Sequence, residues 1–429
     1  MDILIKNGRI IDPSSGMDKK GDILIENGKI TRIGGAINKK TDVVIDASGK
    51  ICAPGLIDMH THLREPGRED AETIETGLKA AIRGGFTTVC AMPNTTPPCD
   101  NQAAAEFIIK KAKKAGLGTV FPIGTITEKR EGKKLAEMAE LKNAGCPAIS
   151  DDGDSVYDAS LMKRALEYAS MLDLVIISHC EDTDLSENGV MREGYYSTIL
   201  GLGPIPEEAE SVIVERDIRL AEKAKARIHI AHVSTLSSVE IIREAKKRGV
   251  KVTAEVTPHH ITLTDKDLKT YDTNMKVNPP LALEADVKAL KKALKDGTID
   301  VIATDHAPHP ENEKEKEFDY APFGMIGLET ALPLVKEALI DTGLMEWTEV
   351  IRKLTQNPAE ILKIDKGHLK EGALADIVVI DPEAKWIYKR EEIVSKSKNS
   401  PFIGREMKAK VTHVIAGGKI VFEDGKIKK

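Results

Sequence analysis

PGLIDMHTHLREPG, residues 54–67, is the stretch on which the reading of the whole chain turns. Residues 55–60 form the apolar run of a buried strand, and it ends in Asp58-Met59-His60-Thr61-His62. Side chains two apart on a strand point the same way, so His60 and His62 aim together past the strand's end. A lone HxH is often two polar residues on a wet face. Here the arrangement recurs downstream. Strand-like runs at 147–151, 174–179, 228–232 and 300–304 end in Asp151-Asp152, His179-Cys180-Glu181, His232 and Asp305-His306. Further runs lie at 87–92, 118–123 and 251–256, and segments of helical period occupy 103–115, 161–170, 208–224, 238–247 and 284–294. Eight strands, each followed by a helix or long loop, predict an α/β fold, a (β/α)8 TIM-type barrel. The acids and histidines then share its C-terminal rim, where barrel enzymes build their sites. An open doubly wound sheet fits less well, because no Gly-rich phosphate turn follows the first strand.

The flanks read differently. Short β-type runs at 3–5, 22–25, 30–33 and 43–46 are broken by NG, PSSG, ENG and GG turns, and the style returns at 375–380, 386–388, 411–416 and 419–422. Each set alone is too small to hold a core. The ends are therefore expected to share a β-sandwich-like side domain, residues 1–50 with 366–429, around a barrel at 51–365.

Composition narrows the function classes. Apolar residues are 41% and charged residues 30% of the chain, and a net charge of −6 is spread over interspersed acids and bases. No basic cluster calls for a nucleic-acid or membrane partner. The five cysteines are widely spaced with no CxxC pair, which argues against a disulfide framework and for a reducing, cytoplasmic setting. The opening MDILIKNGRIID has charge within its apolar stretch and no small-residue cleavage site, unlike a signal peptide. No apolar run is long enough for a transmembrane helix.

Singly, His232 or Asp305 would be an ordinary hydrogen-bonded rim residue. Together, four imidazoles and two or more carboxylates around one point would cost on the order of several kcal/mol in desolvation and repulsion without a cation. Imidazole with carboxylate suits zinc, and manganese, cobalt or iron accept the same donors. The ligands are too many for one tetrahedral ion and right for two that share a carboxylate.

The motifs PGLIDMHTHLREPG (54–67), AMPNT (91–95), SDDG (150–153), SHCED (178–182), AHVST (231–235), VTPHH (256–260), KVNPPL (276–281), ATDHAPH (303–309) and PFGMIGLET (322–330) run the length of the chain. In this order they resemble the amidohydrolase superfamily and, within it, the two-zinc bacterial dihydroorotases. The resemblance implies reversible conversion of (S)-dihydroorotate and N-carbamoyl-L-aspartate in pyrimidine biosynthesis. It implies that His60, His62 and Asp305 hold one zinc ion and His179 and His232 a second. Asp152 and a hydroxide would bridge them, with Asp151 the less favoured bridge. Asp305 would act as general base and then acid. Hydantoinases and some other dihydroorotases carry a carboxylated lysine at the bridge, and residues 146–157 contain no lysine.

Dihydroorotate carries a carboxylate beside a ring nitrogen, which calls for a fixed cation. Arg64 stands two residues past His62 and can bind a carboxylate with both arms of its guanidinium. The alternative for Arg64 is a surface salt bridge with Glu65 or Asp70. The resemblance adds Asn94 and His309 at the carboxylate and Asn278 at the ring amide. Backbone groups of His62, Leu63, Phe323 and Gly324 would complete the pocket. It also implies a homodimer, with association with aspartate transcarbamoylase open.

The charged segment 310–321 reads as a solvated loop, and its place after His309 makes it a candidate lid. His259 and His260 are taken as structural, Cys180 as packing on the opposite strand face, and His229 as pointing into the helix layer. Two other readings compete: a hydantoinase, dihydropyrimidinase or allantoinase, and a non-catalytic scaffold for aspartate transcarbamoylase. Arg64 and the lysine-free bridge weigh against the first. The complete ligand set weighs against the second.

Overall fold

The computed structural model describes residues 1–428. Eight short strands make the barrel: Leu56–Thr61, Phe86–Ala91, Thr119–Pro122, Ala148–Ile149, Val175–Ser178, Arg227–Ile230, Val252–Val256 and Val301–Ile302. Neighbours pair in parallel. A bridge between Gly124 and Ile149 joins the third strand to the fourth, and one between Thr61 and His306 closes the eighth onto the first. Alternation along the strands sorts the apolar residues into two layers. Met59, Cys90, Ile123, Ala148, Ile177, Ala231 and Ala303 fill the interior. Val89, Val120, Ile149, Ile176, Ile228 and Ile230 face the helices.

The helices begin where the sequence supplies caps. Thr73, Asn101, Asp158 and Thr235 accept backbone N–H bonds at the starts of Ile74–Arg83, Gln102–Ala115, Ala159–Met171 and Leu236–Lys247. Gly116, at φ 69°, closes the second of these.

Both ends of the chain enter one nine-stranded sheet. Ile51–Pro54 is its seam, parallel to Ile3–Asp12 and antiparallel to Ile377–Ile387. The sheet thus runs past residue 50, and the first barrel strand follows almost at once. Gly55 makes that passage: a Cβ there would stand 2.1 Å from Thr87 Oγ1. The runs at 375–380 and 386–388, expected as two strands, belong to one, Ile377–Ile387, whose pairing is irregular between Asp381 and Lys385. Among the described residues all five cysteines are free and buried, and no helix is long and apolar enough to cross a membrane.

Candidate active site

Each metal-type residue stands at or just past a strand end. Two of them take positive φ, His232 (29°) and Asp305 (47°), as does Arg64 (60°). Such backbone costs a non-glycine residue about 1–3 kcal/mol and persists only where its surroundings enforce it. It turns the chain out of strand alternation and brings these side chains to the barrel mouth.

The ring nitrogens and carboxylates there converge closely. His60 Nε2 lies 3.2 Å from Asp152 Oδ1 and 3.6 Å from Asp305 Oδ1. His62 Nε2 lies 3.0 Å from Asp305 Oδ1 and 3.4 Å from Asp152 Oδ2. His179 Nδ1 is 2.8 Å from His232 Nε2, and each is 3.8 Å from Asp152 Oδ1. Two groups bring their donor atoms within 4.8 Å of one another: His60, Asp152 and His232, and His60, His62 and Asp305. His179 stands beside the first group, through His232.

The other side of each ring assigns its proton. His60 Nδ1 is 2.6 Å from Glu255 Oε1, so it donates there. His62 Nδ1 donates to Asn94 Oδ1 at 2.8 Å, and His179 Nε2 to Glu181 Oε2 at 3.1 Å. The remaining nitrogen of each ring is then a lone pair turned toward Asp152 or Asp305. Lone pairs facing carboxylates at this range are tolerable only with a proton or a metal cation between them. Two of the atoms concerned, His60 Nε2 and Asp152 Oδ1, are buried with no hydrogen-bond partner. Electrostatics give the same picture. Burial alone would raise the Asp152 carboxyl, but His60, His232 and His62 hold it well below the usual carboxylate range. Burial lowers His60, but Asp152 and Glu255 more than reverse it and raise its pKa well above the ordinary value, the pull of these carboxylates for a positive charge at Nε2 that a proton or a metal cation can meet. The donor set suits two divalent cations sharing Asp152.

Asp151 is placed elsewhere. Its carboxylate accepts from Ile126 N (2.8 Å), Thr127 N (3.1 Å) and Thr127 Oγ1 (2.5 Å), tying down the loop after the third strand. Of the two adjacent acids, only Asp152 reaches the centre.

Beside this centre opens a cavity of about 230 Å³. His62, Arg64, Asn94, Asp152, His179, His232, Asn278, Asp305, His309, Phe323 and Gly324 line it, with Gly153 and Ala307, which sequence reasoning did not single out. Leu63 is not among them. Its side chain packs on the helix Ile74–Arg83, where a Cβ at Gly77 would meet its Cδ2 at 2.6 Å. Arg64 donates from Nε to Pro308 O (3.1 Å) and from Nη2 to His309 Nε2 (3.2 Å), and it forms no salt bridge among the described residues. Its expected surface rivals are engaged: Glu65 pairs with Lys111 and Asp70 with Arg68. Burial draws the Arg64 pKa down to about 10, which leaves it cationic at neutral pH. His309 accepts from Arg64, so its Nδ1 carries the proton and faces Glu313 Oε2 at 3.2 Å. Burial and Arg64 depress its pKa to about 2, so the imidazole is neutral. Asn278 donates to Glu181 Oε2 at 2.8 Å.

Two expectations need correction. His229 does not enter the helix layer. It is paired with Ile177, an interior residue, and its Nε2 is 3.1 Å from Glu255 Oε2. The strand ends at Ile230, and the positive φ of His232 breaks the alternation from which its direction was inferred. The 310–321 segment is also more than a solvated loop. It contains the short helix Glu311–Lys314, and Phe318 is buried. Lys314 Nζ donates to Pro322 O and Gly324 O, and Lys276 Nζ to Phe318 O and Asp319 O, at 2.7–3.0 Å. The other structural assignments stand differently from one another. His260 is satisfied by Thr257 Oγ1 and Pro279 O, and Cys180 packs against Ser178. His259 is buried with an unpartnered Nε2.

Glu255 was missed because a lone glutamate inside an apolar strand, VTAEV, carries no local signal. It is fully buried between His60 and His229, and it sets the proton on His60. Glu181, inside the quoted SHCED motif, does the same for His179.

A buried His/Asp cluster on the rim of a closed barrel, with a terminal β-domain, defines an amidohydrolase: the amidohydrolase family model matches residues 51–421, and the chain belongs to that family. Within it, the chain is grouped with the dihydroorotases. A dihydroorotase from Pelotomaculum thermopropionicum is 54% identical over 424 residues, covering 99% of this chain and 99% of that one. One from Endomicrobium trichonymphae is 52% identical over 424 residues, covering 99% of this chain and 100% of that one. In three dimensions the chain is similar to the L-hydantoinase (dihydropyrimidinase) from Arthrobacter aurescens, with a TM-score of 0.89 at 24% identity, covering 100% of this chain and 97% of that one.

Proposed function

We propose that this chain is a dihydroorotase that interconverts (S)-dihydroorotate and N-carbamoyl-L-aspartate at the cavity beside Asp152 and Asp305. The observation that carries this reading is the pairing of a His/Asp centre suited to cations with Arg64, an arginine in the same cavity without a salt bridge among the described residues. A ring amide needs the first and its carboxylate needs the second.

In this reading His60, His62, Asp152, His179, His232 and Asp305 would hold a pair of zinc ions, His60, His62 and Asp305 toward one and His179 and His232 toward the other. A bound pair of such cations supplies a water of lowered pKa and polarises the scissile carbonyl. Asp305 takes the proton of the attacking water and returns it to the departing ring nitrogen, which as a poor leaving group must be protonated as the bond breaks. Ring closure runs the same steps backward. Arg64, Asn94 and His309 orient the carboxylate. With Asn94 Oδ1 engaged by His62, its amide hydrogens are what it offers a ligand. Asn278 and the backbone of His62, Leu63, Phe323 and Gly324 hold the ring. Glu255 acts through His60, fixing the tautomer that presents Nε2.

A hydantoinase reading is weaker here, because hydantoin and dihydrouracil bring no carboxylate to Arg64. Cyclisation of N-carbamoyl-L-aspartate, assayed beside hydrolysis of hydantoin and dihydrouracil, tests the choice. Turnover of the latter two but not the first overturns the proposal. Dialysis against a chelator should abolish cyclisation and zinc should restore it, followed by metal analysis alongside rate. Glu255→Gln should lower zinc affinity about 10–100-fold, the usual cost of losing a carboxylate behind a ligating histidine. Competition with a chromophoric chelator measures it, and unchanged affinity removes Glu255 from this role. The resemblance further supports a cytoplasmic homodimer, testable by light scattering alone and with aspartate transcarbamoylase added.

A further inference from the structure

Part of the cavity lining comes from two loops, Ala307–His309 after the eighth strand and Phe323–Gly324 beyond the charged segment. The loops are joined directly, Ala307 N donating to Met325 O at 2.9 Å, and a further tie comes from far away in the chain. Asn399, 4% exposed, lies in the connection between two strands of the terminal sheet, Ile377–Ile387 and Glu406–Ala416. Its Nδ2 donates to Ala307 O (3.0 Å) and to Gly324 O (3.1 Å), and its Oδ1 accepts from His309 N (3.1 Å). Its own carbonyl accepts from Ile326 N at 3.0 Å. All three polar positions of the side-chain amide are used, and its orientation is fixed: turned over, it would set an oxygen against two carbonyls and hydrogens against an N–H.

The neighbours of Asn399 anchor it to the barrel. Ser397 Oγ donates to Ala71 O at 2.7 Å. Ser395 Oγ and Lys396 N donate to the buried Glu72, whose Oε2 is 3.4 Å from His306 Nε2. The stretch 395–400 is thus tied to Ala71 and Glu72 near its start and to the two cavity loops near its end, and Asn399 is the one side chain in it hydrogen-bonded to both of those loops. Gly324 has no room to adjust by itself. At φ +129°, a Cβ on it would sit 2.7 Å from Ala307 Cβ, so the two loops are already in contact.

We propose that Asn399 is a positioning residue for substrate: by joining the His309 and Gly324 loops it sets the width of the cavity on the side that receives the carboxylate-bearing edge of the ring. It touches neither substrate nor cations. Its loss is therefore expected in substrate affinity, with the chemical step and metal content retained. The inference rests on the reading that Arg64 and His309 bind the carboxylate.

The test is steady-state kinetics of Asn399→Asp and Asn399→Ser on metal-replete full-length enzyme, with Arg64→Met in parallel. In Asn399→Asp the acceptor for His309 N is kept, and a carboxylate replaces the two donated hydrogen bonds. KM for dihydroorotate should rise about tenfold or more, as expected for two lost bonds, while kcat stays within about threefold and the metal content is unchanged. Asn399→Ser, which brings no charge, should rise in KM in the same sense and serves if the aspartate variant does not fold. An unchanged KM in a folded variant, or a fall in kcat together with lost metal, overturns the proposal. If Arg64→Met raises KM and the Asn399 variants do not, the positioning role fails alone. If Arg64→Met also leaves KM unchanged, the carboxylate reading beneath it has failed.

Discussion

Asp305→Asn should lower kcat about a thousandfold in both directions while leaving dihydroorotate bound, a loss in the middle of the range for removing a positioned acid–base group. Asparagine keeps the size of the side chain and one oxygen for a cation, but it takes up no proton. Asp305 is suited to the task by its place. It lies 3.0 Å from His62 Nε2, at the edge of the cavity. Burial would raise its carboxyl, but His60, His62 and His232 keep it below the usual range, the ionised state that the proposed base requires. The measurement is kcat for ring opening and ring closure, with zinc content determined on the same samples. More than a tenth of wild-type kcat with full metal would remove Asp305 from the proton's path.

Arg64→Met should cost at least about 30-fold in kcat/KM for dihydroorotate, chiefly in KM. Removing one partner of a buried, hydrogen-bonded charge pair costs about 2–5 kcal/mol, and the lower end applies because Arg64 is only half-buried. Any trace activity on dihydrouracil should change far less, since that ring offers the guanidinium nothing. Discrimination between the two substrates should shrink by nearly the whole factor. Equal losses on both would mean that Arg64 supports the fold of the mouth and does not read the carboxylate.

The barrel was legible because its eight strands are short apolar runs between helices with side-chain caps, signals that are local. The convergence of the rim residues was legible for a related reason: in a closed parallel barrel every strand delivers its C-terminal end to the same face. His60, His62, His179, His232 and Asp305 could be placed on the rim from their positions in the chain, Asp152 was preferred to Asp151 through the family resemblance, and the structure brings these six together. What stayed hidden depends on contacts between distant residues or on broken periodicity. Glu255 looks like any glutamate until His60 and His229 are placed on either side of it. His229 was sent to the wrong layer because alternation was extended one residue too far, into a backbone turn. Ile51–Pro54 reads as well as a barrel lead-in as it does as a sheet strand, and only its partners Ile3–Asp12 and Ile377–Ile387 decide. Asn399 sits in SKSKNSP, a polar stretch with no period at all, 75 to 92 residues from the loop positions it joins.

At the centre of the account is the claim that lone pairs and carboxylates meeting around Asp152 exist to hold two cations. Anomalous diffraction at the zinc absorption edge, from crystals of the active enzyme, tests it directly. The account predicts two peaks about 3.5–4 Å apart, one against His60, His62 and Asp305, one against His179 and His232, with Asp152 between them. Full activity in crystals that show no peak there, or a single ion that leaves Asp152 unligated, would contradict it.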